Sequence, residues 1–183
     1  LDATCTVNSA TQITCSTPSH TIGTVDVVVT TPIGTATSAG GFLYADRDTV
    51  GVFRPTTGNL FLKNDHVTGF ADISIMYGQS GDYPVKGDWD GDGTDTIGIY
   101  RNGIFYLRNS NATGVAEMVF AFGQPGDQPV AGDWNGDGID TIGVYSSATY
   151  TFYLRNSLSS GAPDHSFMLG LPGDVGIAGD WTG

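Results

Sequence analysis

Apolar and polar positions alternate in short runs along this chain, and the runs return at a nearly fixed spacing. Four follow one another in mid-sequence: Pro84-Val85-Lys86-Gly87-Asp88, Thr96-Ile97-Gly98-Ile99-Tyr100, Ile104-Phe105-Tyr106-Leu107-Arg108 and Glu117-Met118-Val119-Phe120-Ala121-Phe122. Each is short, rich in β-branched and aromatic residues and bounded by turn formers, which is the signature of strands. Asn102-Gly103, between the second and third runs, predicts a two-residue hairpin turn. Pro55-Thr56-Thr57-Gly58 and Ser146-Ser147-Ala148-Thr149 replace it one repeat earlier and later. No stretch of helix formers at helical spacing occurs, so the expected fold class is all-β with almost no helix.

The repetition is internal and in register. Gly87-Asp88-Trp89-Asp90-Gly91-Asp92-Gly93 returns as Gly132-Asp133-Trp134-Asn135-Gly136-Asp137-Gly138 and as Gly179-Asp180-Trp181-Thr182-Gly183, at spacings of 45 and 47 residues. Asp95-Thr96-Ile97-Gly98-Ile99-Tyr100 is matched by Asp48-Thr49-Val50-Gly51-Val52-Phe53 and Asp140-Thr141-Ile142-Gly143-Val144-Tyr145. Leu62-Lys63-Asn64, Leu107-Arg108-Asn109 and Leu154-Arg155-Asn156 keep the same period, as do the Gly-Asp segments ending at Asp82, Asp127 and Asp174. A period of this length belongs to stacked units that bury their faces against one another. Counted by strands, the repeat region opens on the second, third and fourth strands of a unit, passes through two whole units and ends on a first strand at 177–181, so its two ends add up to one more.

Residues 1–44 carry none of these landmarks. Alternating Val between Thr24 and Thr30, a turn at Pro32-Ile33-Gly34 and then Gly41-Phe42-Leu43-Tyr44 read as a half-buried hairpin. A second hairpin turning at Asn8-Ser9-Ala10-Thr11 sets Cys5 opposite Cys15, within reach of a disulfide; two buried thiols are the other reading.

The net charge of −12 with 7 Lys and Arg excludes nucleic acid and anionic membrane surfaces as partners, since both need clustered cations. No apolar run approaches the length of a membrane span, and no signal peptide precedes Leu1, so the chain is expected to be a processed or excised piece of something larger. Many of the acids sit inside the Asp-Gly loops, which directs attention to a cation.

Asp88, Asp90, Asp92 and Asp95 form D-x-D-x-D-G-x-D, and Asp133, Asn135, Asp137 and Asp140 form D-x-N-x-D-G-x-D. Alternate side chains offer hard oxygens to one ion, and the glycine allows a turn through which the carbonyl of Thr94 or Ile139 joins them, so calcium is the expected cofactor. Metal-free Asp turns, in which the carboxylates accept loop amides, are the alternative. The loops at Asp46 and Asp48 and at Asp180 hold too few acids for a complete site.

Two resemblances accompany these residues. The four-run repeat with its Asp loop, over 45–183, resembles the blades of FG-GAP/VCBS-type β-propellers, and implies about three four-stranded blades. That family usually carries a carboxylate at the ninth loop position; here it is Thr96 or Thr141, with Asp95 or Asp140 one step earlier. The stretch from Val7 to Cys15, with Gly23-Thr24-Val25-Asp26-Val27 and Phe42-Leu43-Tyr44, resembles the closing half of an IPT/TIG domain, an immunoglobulin-like sandwich. Lacking its opening strands, such a half exposes edges that preceding residues or a neighbouring chain would cover.

Trp89, Trp134 and Trp181 read as blade packing, with sugar stacking as the alternative. Arg108 and Arg155 read as loop ties rather than anion ligands, and Asn111-Ala112-Thr113 fits a glycosylation sequon. His20, His66 and His165 share no repeated partner, and no catalytic constellation stands out. The expected function is a non-enzymatic, extracellular or cell-surface structural or adhesion module, stiffened by calcium. Its expected partners are copies of itself or a cell-surface protein or glycan. A lectin and an accessory domain of a secreted enzyme are the alternatives.

Overall fold

Fifteen strands and no helix make up the described residues of the computed structural model, which are 4–9, 11–16, 23–44 and 48–181. The chain divides into two compact units, Leu1–Asp48 and Thr49–Gly183.

The first unit holds two antiparallel pairs. Strands β1 (Thr4–Ser9) and β2 (Gln12–Ser16) place Cys5 opposite Cys15, and a disulfide joins them across a Cα separation of 4.0 Å. Ala10, expected in the turn, lies outside the described residues. Strands β3 (Gly23–Thr31) and β4 (Gly34–Tyr44) meet at a two-residue turn, Pro32-Ile33, with Thr31 opposite Gly34. The ladder shifts where Val25 pairs with Phe42 but Val27 with Ser38. Asp26 fills that bulge, its carboxylate accepting the Gly40 amide at 2.8 Å. Val7, Val27, Val28 and Val29 are exposed, so β3 is not half-buried as its alternation predicted: consecutive valines on both of its faces meet solvent.

The second unit is a series of antiparallel meanders. Strands β5 (Val50–Arg54), β6 (Asn59–Lys63) and β7 (Ile73–Met76) form a three-stranded sheet. Strands β8 (Tyr83–Gly87), β9 (Thr96–Arg101), β10 (Ile104–Leu107) and β11 (Met118–Ala121) form a second. Strands β12 (Gln128–Gly132), β13 (Thr141–Ser146), β14 (Thr151–Leu154) and β15 (His165–Met168) form a third. Within each sheet, strands that neighbour in sequence neighbour in the ladder. The Asn102-Gly103 turn has φ of 49° and 85°, the left-handed pair that a tight hairpin requires and that Asn and Gly tolerate.

Sheets pack face to face in chain order. Ile97 and Ile99 of the second sheet join Leu60, Ile75 and Tyr77 of the first in one apolar cluster. Ile142 and Val144 of the third join Tyr100, Phe105, Leu107 and Phe122 of the second in another. Strands β9 and β13 are therefore buried on both faces over five consecutive residues. The packing repeats in detail: Phe105 tilts on Tyr100 at 4.8 Å between ring centroids, and Phe152 on Tyr145 at 4.7 Å. Gly98 explains why this strand carries a glycine in each repeat, at 51, 98 and 143. A Cβ there would lie 2.5 Å from Leu107 and 2.8 Å from Val85, which close over it from both neighbouring strands.

The segment 177–181, expected as a first strand, forms no ladder. Strands β8 and β12, its counterparts, pair with β9 and β13, and no described strand lies beside 177–181 to do the same.

Candidate metal loops

Each Asp loop is built around its first carboxylate. Asp88 Oδ1 accepts the amides of Gly91 (2.8 Å) and Asp92 (3.1 Å), and Oδ2 accepts that of Gly93 (2.7 Å). Asp133 does the same for Gly136 (2.7 Å), Asp137 (3.2 Å) and Gly138 (2.7 Å). These amides, the Gly138 amide foremost, hold the Asp133 carboxyl below its ordinary range. Further along, Thr94 donates its amide to Asp92 at 2.8 Å and Ile139 donates its own to Asp137 at 2.9 Å. Both loops are thus closed turns without help from an ion.

The closed turn still presents a cation with oxygens. One ligand atom from each of Asp88, Asp90 and Asp92 lies within 4.8 Å of the others, with Asp90 and Asp92 exposed. A carboxylate has about four acceptor positions, so three amide bonds leave Asp88 one to spare. Hard, clustered, flexible carboxylates fit calcium better than magnesium, which demands stricter octahedral geometry. The second loop fits less well, because Asn135 turns its amide on Asp137, Nδ2 to Oδ2 at 2.9 Å, and engages an oxygen that an ion would use.

The two acids expected to replace the ninth-position ligand go elsewhere, and differently. Asp95 pairs with Lys86 at 2.7 Å. Asp140, whose sheet has Ala131 in place of that lysine, accepts the Asp88 amide at 3.1 Å while its own amide donates to the Asp88 carbonyl at 2.8 Å. Asp140 so clasps its loop to that of the preceding sheet, and partial burial pushes its carboxyl above the ordinary range. Asp46, Thr182 and Gly183 of the incomplete loops lie outside the described residues, as does His20.

The remaining landmarks are structural ties. Asp82, Asp127 and Asp174 each close a turn by accepting the amide three residues back, at 2.7, 2.8 and 2.8 Å. Asp82 also takes a two-pronged bond from Arg101, at 2.6 and 2.8 Å, across the β8–β9 pair, which sequence reasoning missed because the partner lies 19 residues away. Asn64, Asn109 and Asn156 donate their amides to Asp72, Glu117 and Asp164, also at one repeated position. Arg108 bonds Val115 and Ser110, and Arg155 bonds Ser159, Ser160 and Ala162, so both guanidinium groups serve their own loops. Asn111 gives its side-chain amide to the Asp95 carbonyl at 2.9 Å. His66, in the loop between β6 and β7, and His165, at the start of β15, are both exposed.

The tryptophans pack on glycine. A Cβ on Gly87 would lie 2.7 Å from the Trp89 ring, one on Gly132 3.0 Å from Trp134, and one on Gly179 3.2 Å from Trp181. Trp89 is buried between sheets, Trp134 is half-buried, and Trp181 is exposed beside an open cavity of about 390 Å³ lined by Tyr145, Phe152, Leu169 and Ile177. No protein family, curated protein or solved structure matches this chain, so its function is argued from these contacts.

Proposed function

We propose that this chain is a non-enzymatic structural or adhesion module of the cell exterior, in which the repeated sheets stack as propeller-type blades and the Asp loops bind calcium. The observation that carries the reading is the repetition of one packing scheme, with the same strand positions buried between sheets one and two and between sheets two and three. The first acidic loop rides on that stack where the second and third sheets meet. The side chains with catalytic potential are spent on turns and ties, and the Asp88, Asp90 and Asp92 cluster has the spacing of a single cation cage. The disulfide between Cys5 and Cys15 is of a kind that persists in oxidising compartments. The immunoglobulin-like first unit adds a second exposed β surface for adhesion.

Calcium here stiffens rather than reacts. An ion bound only by the folded chain stabilises it by RT ln(1 + [L]/Kd), about 2.7 kcal/mol at a hundredfold excess over Kd. The test is a thermal melt in calcium and in chelator, for the wild type and for Asp90→Asn with Asp92→Asn. The expected result is a calcium-dependent rise in melting temperature that the double variant loses. A melt indifferent to calcium would sink the calcium part of the reading.

A further inference from the structure

We infer that Asn135 is a self-modifying residue: the second Asp loop holds it ready to lose its side-chain amide to the backbone nitrogen of Gly136 and become a carboxylate. The chain has two Asn-Gly pairs, Asn102-Gly103 and Asn135-Gly136. With no Cβ on the second residue, the asparagine side chain can close on the nitrogen that follows it. The two pairs sit in opposite settings. Asn102 and Gly103 are both left-handed in a tight hairpin, with Gly103 buried and its carbonyl accepting the Phe122 amide at 2.9 Å. Asn135 and Gly136 are exposed, in the loop between β12 and β13.

Each group the reaction needs is already in hydrogen-bond contact. The nucleophile is Gly136 N, whose N–H donates to Asp133 Oδ1 at 2.7 Å. The electrophile is Asn135 Cγ. Its oxygen, Oδ1, accepts the Asp137 amide at 3.3 Å, which folds the side chain forward over the Gly136 peptide and steadies the charge that develops on that oxygen. The departing nitrogen, Nδ2, donates to Asp137 Oδ2 at 2.9 Å. Attack forms the bond from Gly136 N to Cγ while the Gly136 proton passes to Asp133. The Cγ–Nδ2 bond then breaks, and its electron pair takes a proton from water to leave as ammonia; Asp133 returns its proton to the hydroxide so formed. A second water opens the five-membered imide, at Cγ to an ordinary aspartate or at the main-chain carbonyl to an isoaspartate. Asp137 stands in the same relation to Gly138, whose amide lies 2.7 Å from Asp133, and accepts the Ile139 amide at 2.9 Å. As a carboxylate it has no amine to lose. On the calcium reading above, on which this step alone rests, conversion also completes a site. Asn135 occupies the place of Asp90 in the first loop, and becoming aspartate removes the amide that engages Asp137 Oδ2. The second loop then offers the donor set that Asp88, Asp90 and Asp92 form in the first.

The test incubates the folded 183-residue chain at neutral pH in chelator, beside the same chain unfolded in guanidinium chloride, and follows both Asn-Gly peptides by mass after digestion. The expected result is a gain of about 1 Da at Asn135, the replacement of an amine by a hydroxyl. In the folded chain this gain is expected at least roughly tenfold faster than at Asn102, and roughly tenfold faster than at Asn135 in the unfolded chain, because the loop holds the reacting groups together. Asn135→Gln, which would need a ring one atom larger, is expected to keep its amide while melting as the wild type does. Conversion at Asn135 that is slower folded than unfolded, or equal rates at Asn102 and Asn135 in the folded chain, would overturn the inference. The calcium step is read separately, from the melting temperature of Asn135→Asp in calcium and in chelator. A response no larger than that of the wild type would count against an ion in the second loop and leave the conversion standing.

Discussion

One position of the repeat samples three environments, which makes it a measure of sheet stacking. Ile142 is fully buried in the cluster it shares with Tyr100, Phe105 and Leu107, Ile97 is buried with Leu60, Ile75 and Tyr77, and Val50 is largely solvent-facing. Truncating a fully buried Ile to Ala costs about 2–5 kcal/mol, the lost transfer energy plus the cavity left behind. Ile142→Ala and Ile97→Ala are therefore expected to lose about 3 kcal/mol each, or roughly 10 °C in melting temperature for a unit of this size. Val50→Ala, on an open face, is expected to stay within about 0.5 kcal/mol. The assay is denaturant unfolding followed by circular dichroism at a dilution where chains do not associate, with the slope checked for a common transition. If Val50→Ala costs as much as Ile142→Ala, or if Ile142→Ala costs nothing, the sheets do not stack as described and the repeat argument fails.

Two further expectations use the repeat as its own control. Arg101→Ser copies the third sheet, where Ser146 stands at that position and Asp127 stays buried on the Gln124 amide. Its expected cost is about 1–2 kcal/mol in denaturant unfolding, and a loss near the ~3–5 kcal/mol typical of an orphaned buried charge would show that Asp82 depends on its guanidinium. Burial pushes the hydroxyls of Tyr77 and Tyr100 up to about 12, so the folded chain holds these protons more tightly than the unfolded one. Their contribution to stability is full below about pH 10, the unfolded value, and is lost as pH rises through about 12. Tyrosinate absorbance followed with near-ultraviolet circular dichroism is expected to show a late step that coincides with unfolding. All 8 tyrosines ionising together near the ordinary value would contradict it.

The sheets were legible because their signals are local. Thr96–Arg101 and Ile104–Leu107 fall on the alternating runs that predicted them, and Asn102-Gly103 turns where its chemistry dictates. The three-stranded first sheet followed from counting strands in register. What the sequence hid are side-chain contacts between residues distant in the chain. Asp95 and Asp140 open the same Asp-Thr-Ile-Gly motif, yet one pairs with Lys86 in its own sheet and the other crosses to Asp88. The difference arises at position 86, whose counterpart is Ala131, a strand away from the motif. The bond from Arg101 to Asp82 spans 19 residues and gives no local signal either. The segment 177–181 has the composition of a strand, but a strand exists only in a ladder, and composition does not supply the neighbour.

The clasp between Asp140 and Asp88 changes what a cation in the first loop would accomplish. Asp88 is engaged three ways: its carboxylate closes its own turn, its amide donates to Asp140 and its carbonyl accepts from Asp140. Around it, Asp90, Asp92, Asp95 and Asp140 place negative charge at one sheet junction, with Lys86 as the cation paired there with Asp95. Repulsion among these acids works against the clasp, and the raised proton affinity of Asp140 reflects burial together with the neighbouring Asp95 and Asp88 charges. An ion held by Asp88, Asp90 and Asp92, as proposed, relieves that repulsion at the residue through which the second and third sheets are tied. Its effect then falls on the angle and rigidity between sheets as well as on the loop itself. In a stack whose sheets touch only their neighbours, a small change at each junction accumulates along the array. At the junction of the second and third sheets, where the clasp lies, an ion in the first loop would therefore set the angle between two sheets through the one residue that ties them.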